Sequence, residues 1–582
     1  MSRNAEVADR LEELADFLSA REVEYKPQIY RTAAANVRDH PAAIEGLAAE
    51  GEDAVKEIEG VGDAIAAKIV EYVETGEIAA LEEERERMPV DMPALTAVEG
   101  LGPKRVKALH DALGITTLDE LEAAAAAGEI REVSGFGATT EQNILERIPF
   151  ARESRERALL SLARPLADDA VAELADADAV ERVDVAGSLR RWKATIGDVD
   201  VLVASEAPAA AVGAFTDWER VEDVIEAGET KASVRASGLR VDLRVVAPAA
   251  FGSALQYFTG SREHNIRLRN HAIDRDLTVN EYGVFDVADV ADPDAGRRVG
   301  ERVAGETEAG VYESLGLPWI PPELREDRGE LDAAAADELP DLLAADDLRG
   351  DLHVHTDASD GGLSAAEMAS AAAERGHDYL AITDHATGPG MVGGVGLDGD
   401  ALREQAARVR DLDDETDVTL FAGVETNVDA EGDLSTPEDV LADLDLVVAS
   451  PHSALGQDAE TATERLLRAV GHPETDVLGH PTGRLLNQRP GLTVDVERVA
   501  RAAADAGVAL EVNSHPSRLD LDGGAVRTAV EAGATVVVNT DAHGATELGN
   551  QVYGVHTARR GWATAGEVLN ARDAAGVRTF LE

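Results

Sequence analysis

The spacing of apolar residues divides this chain into three regions with different periodicities. The first ninety or so residues, beginning with the segment from Ala5 to Leu18, have the three-to-four-residue spacing of amphipathic helices. From about residue 150 to 250, a helix is followed by β-branched runs such as DVDVLVA and LRVDLRVV, which predict strands. From Arg349 onward, β-rich runs alternate with amphipathic helices, which is typical of a parallel β/α barrel. The pattern therefore predicts a multidomain chain with helical, α+β and α/β parts.

The length agrees with several domains, because 582 residues exceed what one hydrophobic core usually holds. Residues 326–348 are acidic and Ala-rich without a strong apolar stripe, and we predict a linker with helical tendency there. The changes in pattern place the predicted domains at 1–88 and 89–149 (both helical), 150–255 (a sheet with helices), 256–325 (mixed), and 349–582 (the barrel).

A short Gly-x-Gly unit precedes an apolar-periodic helix three times in the helical region. One such unit is often only a turn, but three in the same setting indicate a repeated supersecondary element. Lys104 and Arg105 follow the second unit and make it the best candidate for binding a phosphate, whereas Glu141 follows the third, for which structural and weakly binding roles are both open. The paired glycines are Gly60 and Gly62, Gly100 and Gly102, and Gly135 and Gly137.

Three aspartates in the second region form a candidate metal site. Asp198 and Asp200 are two residues apart at the start of a predicted strand, so their side chains lie on one side of it, and Asp242 stands in a similar strand. A pair of this kind is more often a solvated strand edge or a turn. Here Gly187 and Ser188 stand just upstream, where small residues let backbone amides approach a phosphate. Three carboxylates and such a turn suit Mg²⁺-dependent phosphoryl or nucleotidyl transfer.

The motif GS, then RR, then GDVD resembles the signature of the nucleotidyltransferases that include the family X DNA polymerases, and YFTGS with Asn265 and Arg269 resembles their thumb. The resemblance implies a lyase-like domain over 1–88, fingers over 89–149, a nucleotidyltransferase palm over 150–255 and a thumb over 256–325. It implies that Arg269 contacts the template. It also implies that the incoming nucleotide is bound by Gly187, Ser188, Arg191, Tyr257, Phe258, Gly260 and Asn265.

The Gly-x-Gly units resemble helix-hairpin-helix motifs, whose amides receive DNA phosphates without reading sequence. In the same family, the lysine that corresponds to Lys68 forms a Schiff base in a 5′-deoxyribose phosphate lyase site, and Lys26 and Tyr30 match residues of that pocket. A lysine on a helix face is usually a solvated charge, and a nucleophilic one needs a lowered pKa. A lyase activity at Lys68 is therefore one of two open interpretations.

Metal-ligand residue types cluster at the ends of the predicted barrel strands. Ten of the fourteen histidines lie in this part of the chain, and six of the ten stand at strand ends, the face on which barrel enzymes build their sites. Imidazole and carboxylate ligands without sulfur suit Mn²⁺, Zn²⁺ or Fe²⁺. The candidates are His353, His355, Asp360, His385, Glu425, His452, His480, Asp541 and His543.

These motifs (HxH, TDH, GVE, SPH, GHP and TDAH) resemble the PHP family, which implies a distorted β/α barrel with up to three metal ions. The implied ligand groups are His353, His355, Glu425 and Asp541; Glu425, His452 and His480; and Asp360, His385 and His543. The other four histidines, His377, His472, His515 and His556, match no ligand position and are predicted to be structural, while Asn513 is a candidate substrate contact.

Charge and composition indicate the solvent and the cell compartment in which the protein works. The formal charge is −59, there is no cysteine, and only seven of the 54 basic residues are lysines, a bias that resembles salt-in halophiles. DNA binding in molar salt has to depend on short-range contacts, since the Debye length there is about 3 Å. The charged N-terminus is unlike a signal peptide and no apolar run reaches membrane-spanning length, so we expect a cytoplasmic, monomeric protein away from membranes.

The two halves together resemble family X DNA polymerases with a C-terminal PHP domain, and this resemblance implies a gap-filling repair polymerase that uses deoxynucleoside triphosphates on gapped or nicked DNA, with Mg²⁺ in the palm. The barrel, with Mn²⁺ or Zn²⁺, is predicted to be a 3′-to-5′ exonuclease or phosphoesterase. Two alternatives stay open at this point. One is a template-independent nucleotidyltransferase, and the other is a non-catalytic scaffold that binds DNA ends.

Overall fold

The computed structural model describes the chain except for residues 1–2, 24, 40–43, 59, 99, 293–295 and 390–394, and the side chains of residues 5, 39 and 153–156. The chain forms two compact units. The first contains residues 1–157 and 487–490, and the second contains 158–486 and 491–582. The predicted boundary between fingers and palm, at 149/150, lies inside the last helix of the first unit, Ala138–Glu156.

The first unit is helical, and its core joins side chains from all of its helices from Asn4 to Ala151. Each of the three Gly-x-Gly units has the same backbone geometry: the first glycine is left-handed, at φ +74° to +91°, and the second is extended and caps the following helix. The helices are Asn4–Ala20, Lys26–Asp39, Ile44–Glu50, Glu52–Val55, Asp63–Thr75, Ala79–Arg87, Met92–Thr96, Pro103–Leu113, Leu118–Ala127 and Ala138–Glu156.

The second unit begins with the palm, whose strands are β1 (Ala158–Leu159), β2 (Arg182–Val185), β3 (Thr195–Ile196), β4 (Val199–Ala204), β5 (Val221–Ala227), β6 (Lys231–Ala236) and β7 (Leu239–Val246). Five of them form a sheet in the order β2-β4-β7-β6-β5, while β1 pairs with β3. Strands β4 and β7 are parallel neighbours, which places Asp200 directly opposite Asp242. The palm helices are Leu160–Ala175, Gly187–Arg190, Pro208–Thr216 and Phe251–Thr259.

The thumb is a small antiparallel sheet of β8 (Leu277–Asn280), β9 (Gly283–Asp286) and β10 (Glu301–Ala304), with helices Arg262–Ile273 and Glu308–Ser314. The predicted linker, residues 326–348, is packed instead of extended. It contains the helix Glu330–Ala336, whose Leu331 joins the thumb core, and Leu343 is fully buried in the barrel core. The helix agrees with the predicted helical tendency of this segment, and the burial of Leu331 and Leu343 adds that the segment packs against its neighbours.

The barrel has seven parallel strands in sequential order: β11 (Gly350–Val354), β12 (Tyr379–Ile382), β13 (Thr419–Asn427), β14 (Leu446–Ser450), β15 (Val477–Leu478), β16 (Ala509–Asn513) and β17 (Val536–Asn539). Its two edges meet where the His355 amide donates to the Ala542 carbonyl at 2.8 Å. The main helices around it are Ala365–Glu374, Gly399–Asp413, Glu438–Leu441, Ala459–Val470, Val496–Ala506, Gly523–Glu531, Gln551–Arg560 and Ala574–Leu581. This arrangement is the predicted parallel β/α barrel, with one strand fewer than a complete eightfold barrel.

The barrel helix Gln551–Arg560 packs directly against the palm and thumb. The ring of His556 stacks on Trp192 at 3.5 Å between centroids, and its Nδ1 lies 2.8 Å from the Glu323 carboxylate. Arg560 donates both to the Arg191 carbonyl and to Glu326. Palm, thumb and barrel are thus joined by side chains as well as by the chain. Among the described residues, no helix combines the length and the apolar character needed to cross a membrane.

Candidate metal centres and DNA-binding elements

The three predicted aspartates of the palm lie together. Asp198, Asp200 and Asp242 each offer a carboxylate oxygen within 4.8 Å of the others, because β4 and β7 pair in parallel and in register. Burial, together with the charges of Asp198 and Asp242, raises the pKa of Asp200 to about 7. Carboxylates at this separation repel unless a cation lies between them. The cluster therefore has the chemistry of a divalent-cation site made only of oxygen ligands.

Gly187 stands against this cluster. Its φ of +62° is left-handed, and a Cβ built on it would lie 2.1 Å from Asp200 Oδ2. Only glycine fits here, so the absence of a side chain at this turn is what lets the Asp200 carboxylate take its position. On the other side, Arg240 Nε donates to Asp242 Oδ1 at 2.8 Å and orients that carboxylate.

The two arginines that follow the turn are held by acids of the thumb. Arg190 makes a two-pronged ion pair with Glu308, with distances of 2.8 and 2.9 Å. Arg191 donates to Glu326 at 2.9 Å and to the Thr259 carbonyl at 2.6 Å. Burial alone would raise the pKa of Glu326, but the guanidiniums of Arg191 and Arg560 hold it below its usual value. The predicted triphosphate ligand Arg191 is thus part of a network that reaches the barrel.

The YFTGS segment is braced from within. Asn265, predicted to reach the minor-groove edge of the nucleotide, donates to the carbonyls of Tyr257 at 2.7 Å and Gly260 at 3.2 Å. At Gly260 a Cβ would lie 2.6 Å from Asn265 Oδ1, so the kink requires glycine. Tyr257 and Phe258 meet edge to face, at 5.2 Å between centroids. Arg269 is exposed on the thumb helix.

The nine predicted barrel ligands converge at the carboxyl ends of the strands. Glu425 is central: its carboxylate lies 2.9 Å from His480 Nε2, 3.3 Å from His452 Nε2 and 2.6 Å from His385 Nδ1. Asp541 Oδ1 lies 3.1 Å from His355 Nε2. Three groups could each hold an ion: His353, His355 and Glu425; His385, Glu425 and His452; and His355, Asp360, His385 and His543. The grouping differs from the predicted one in two ways: His355 and His385 each fall into two groups, and Asp541 and His480 fall into none of the three.

Unpaired buried atoms at this centre fit bound cations. Among the described residues, Nε2 of His353, both ring nitrogens of His355 and Oε2 of Glu425 are buried without a hydrogen-bond partner. Although burial opposes charge on an imidazole, Glu425 and Asp360 raise the pKa of His385 to about 10. Burial and two neighbouring imidazoles lower the pKa of His355 to about 4, so the ring is neutral near pH 7 and one of its nitrogens keeps a lone pair for a cation. The site attracts positive charge and presents free lone pairs, as a metal centre must.

Sequence reasoning missed the residues that hold these ligands in place. Glu511, in the middle of β16, lies 2.7 Å from His353 Nδ1 and accepts the His480 amide at 2.6 Å. The sequence feature that could have identified Glu511 is an acidic residue inside an otherwise apolar strand. Asn513, predicted as a substrate contact, is fully buried and donates to Asp541 Oδ2 at 3.1 Å, so it orients a ligand instead.

The other predicted DNA-binding residues occupy several settings in the first unit. Lys104 is 64% exposed at the second hairpin, where Arg105 donates to the Gly100 carbonyl at 2.7 Å. In the described part of the chain, no atom beyond the immediate neighbours lies within 4 Å of a Cβ built at Gly62, Gly102 or Gly137, so a phosphate can approach these helix starts.

The predicted lyase pocket is only partly open. Lys68 is half-buried and donates to the Ala64 carbonyl at 3.2 Å, and Lys26 is exposed. Tyr30, in contrast, is buried in the core, because its ring fills space among the first helices. The tyrosine therefore packs in the core and is not exposed for contact with DNA.

Fold and sites together define a two-centre protein, a nucleotidyltransferase palm joined to a metal-dependent phosphoesterase barrel. Family models agree with each part: a helix-hairpin-helix domain matches residues 2–78, a SAM-like helix-hairpin-helix tandem 92–148, the DNA polymerase beta thumb 254–326 and a PHP domain 351–515. The last match ends before Asp541 and His543, which the fold brings back to the centre.

Similar proteins cover either the whole chain or the barrel alone. The DNA polymerase/3′-5′ exonuclease PolX of Bacillus subtilis (strain 168) is 33% identical over 562 residues, 96% of this chain and 95% of that protein. A probable phosphatase of Thermoanaerobacter sp. (strain X514) is 29% identical over 40% of this chain and 94% of its own length. A probable phosphatase of Caldanaerobacter subterraneus is 32% identical over 33% and 75%. The chain belongs to the family X DNA polymerases with a C-terminal PHP domain.

Proposed function

We propose that this protein is a DNA-directed DNA polymerase that also removes nucleotides from 3′ ends, acting on gapped or nicked DNA in repair. The observation that carries the polymerase half is the in-register pairing of Asp200 with Asp242, with Asp198 and the Gly187 turn beside them. The full-length likeness to a polymerase/exonuclease supports joining the two activities in one chain. The hairpins and thumb supply sequence-independent contacts to the duplex.

In the palm, Asp198, Asp200 and Asp242 would hold two Mg²⁺ ions, which supply activation of the primer hydroxyl and neutralise phosphate charge. The Gly187 turn brings backbone amides to the triphosphate. Arg191, fixed by Glu326 and Thr259, would contribute its positive charge to binding of the same triphosphate. The aromatic pair Tyr257–Phe258 lies at the end of the preceding helix, as a wall for the sugar.

In the barrel, the nine ligands would hold up to three Mn²⁺ or Zn²⁺ ions, whose Lewis acidity activates water and binds phosphate oxygens. Glu511 fixes the His353 ring by accepting at Nδ1, so that Nε2 points to the centre. Asn513 does the same for Asp541. The site is shaped before a substrate enters, which favours phosphodiester hydrolysis.

A primer-extension and excision assay on gapped DNA, with Mg²⁺ or Mn²⁺ in molar KCl, tests both halves. Asp200→Asn should abolish extension and spare excision, with the exposed Asp217→Asn as the matched control. His353→Ala should abolish excision and spare extension, with His377→Ala as its control. Extension that survives Asp200→Asn, or excision that survives His353→Ala, would show that the assigned centre is wrong.

Two finer assignments need their own tests. A lyase at Lys68 predicts a borohydride-trapped adduct with a 5′-deoxyribose phosphate end that disappears in Lys68→Ala. A halophilic origin predicts that the protein, with its charge of −59, is less stable in dilute buffer than in molar KCl. Equal stability in both solvents would contradict the halophilic interpretation.

A further inference from the structure

A basic cavity lies where the palm, the segment 326–348 and the barrel meet, and none of its lining residues is a candidate metal ligand. Its lining includes four basic side chains, Lys193, Arg328, Arg484 and Arg560, and one acidic side chain, Asp522. The chain as a whole has more than twice as many acids as bases, so this concentration of positive charge runs against its composition. Asp522 lies 3.4 Å from Arg484 and Glu326 lies 3.2 Å from Arg560, so these two acids offset part of the positive charge, and an anion in the cavity would offset the rest.

The arginines are held in place before any ligand arrives. Arg484 is 14% exposed, and its guanidinium donates to the carbonyls of Arg518 and Leu519. Arg560 is 10% exposed and is fixed by Glu326 and the Arg191 carbonyl. Burial and the nearby charges of Arg328 and Arg191 work against the charge of Arg560. Guanidiniums fixed in this way match the oxygens of a phosphate with little loss of side-chain entropy.

The walls of the cavity connect the two reactive centres. On one side, Lys193 follows Arg191 of the nucleotide-binding turn by two residues. On the other side, Arg484 holds the carbonyl of Arg518, whose own Nε lies 3.6 Å from the barrel ligand Asp541. The ring of Trp192, also in the lining, is already stacked on His556 and contacted by Arg164. The cavity thus offers positive charge but no free aromatic ring on which a base could stack. This combination suits a backbone phosphate.

We propose that this cavity binds a backbone phosphate of single-stranded DNA. It would hold the strand while its end moves between the palm and the barrel. The identification of the anion as DNA rests on the proposed function. Contacts of this kind are short-ranged, so they persist in the concentrated salt that screens long-range attraction.

Binding of a fluorescent 12-nucleotide oligothymidine, followed by anisotropy across KCl concentrations, tests the proposal. Lys193→Glu with Arg328→Glu should weaken binding by about tenfold and lower the slope of log affinity against log salt by roughly 0.7, the value for one lost phosphate contact to a single strand. Arg498→Glu with Arg501→Glu, the same charge change on exposed positions of a barrel helix, should leave both unchanged. Arg328→Glu alone guards against misfolding of the double variant, since the Arg328 hydrogen bonds to Glu330 and Arg527 are made by its backbone.

A cross-link gives an independent readout. The chain has no cysteine, so Lys193→Cys introduces a single thiol that can capture an oligothymidine carrying a bromoacetyl group on a backbone phosphorothioate. We expect capture at residue 193 and none with Arg501→Cys. Unchanged oligothymidine binding in both glutamate variants, or capture equal at the two positions, overturns the proposal.

Inorganic phosphate is the second probe. Phosphate binding that depends on Lys193 and Arg328, with oligothymidine binding unaffected, would mean that the cavity takes a free anion and would also overturn the proposal. Primer extension by the unaltered protein is measured in the same preparations. Its absence would refute the proposed function, whereas extension with normal oligothymidine binding by the variants would refute the cavity alone.

Discussion

The contact between Gly187 and Asp200 gives a sharp prediction for Gly187→Ala. A Cβ at this position would lie 2.1 Å from Asp200 Oδ2, whereas nonbonded atoms settle at roughly 3.5 Å. The carboxylate must therefore move by about 1.4 Å. A displacement of that size at a reacting centre costs about 100-fold in rate. The left-handed φ of +62° adds about 1–2 kcal/mol of strain for a residue with a Cβ.

Gly238→Ala separates the two effects. Gly238 lies in the turn between β6 and β7 with φ +72°, and nothing lies within 4 Å of its Cβ position. It should therefore lose the same 1–2 kcal/mol of stability and keep its extension rate. The measurements are kcat for single-nucleotide extension on gapped DNA and the free energy of unfolding in denaturant, both in molar KCl. A Gly187→Ala rate within about threefold of Gly238→Ala would refute the argument that the turn shapes the metal site.

Three further predictions concern the other side chains of the second unit. Glu511→Gln removes the charge that orients His353 and should weaken Mn²⁺ binding by 10- to 100-fold, measured by calorimetry. Because the pKa of Asp200 is raised to about 7, ionising it costs stability. The metal-free protein should lose stability as pH rises from about 4 to 7, and Mg²⁺ should bind more weakly as pH falls below 7. Trp192→Ala removes the stack on His556 and should cost about 2 kcal/mol in the free energy of unfolding.

Each of these has its own control. The exposed Glu531→Gln should leave Mn²⁺ binding unchanged, and equal binding by Glu511→Gln would show that the ring needs no such support. Asp200→Asn should flatten the pH dependence of melting in EDTA, and an unchanged profile would assign it to another group. Trp319→Ala removes an indole that is 42% exposed, and an equal loss from both tryptophan variants would deny the stack a special role.

The nine candidate barrel ligands were chosen from positions at strand ends and from motif resemblance, and the structure brings their side chains together. All parallel strands deliver their carboxyl ends to one face, so residues such as His353, Glu425 and Asp541 could be grouped from strand ends alone. Glu511 was missed because it stands inside a strand, where only the fold shows that its side chain meets His353.

The geometry of the palm site was harder to predict from the sequence. Asp242 follows Asp200 after two intervening strands, β5 and β6, and the parallel pairing of β4 with β7 is a long-range event that spacing does not reveal. The 2.1 Å approach at Gly187 is equally invisible without coordinates. Asn265 shows the limit of transferring a role by motif, since its amide braces the YFTGS kink through the Tyr257 and Gly260 carbonyls.

The stack of Trp192 on His556 has a consequence for how this gene can change. A premature stop codon anywhere before the barrel would leave Trp192 without its ring partner and Glu326 without Arg560. The polymerase half would then carry an exposed indole and an acid short of one counter-charge beside its nucleotide-binding turn. During evolution, substitution of a single histidine ligand would remove the nuclease activity and keep the folded barrel in contact with the palm. Deletion of the whole domain would remove that contact as well, so the substitution costs the polymerase half less.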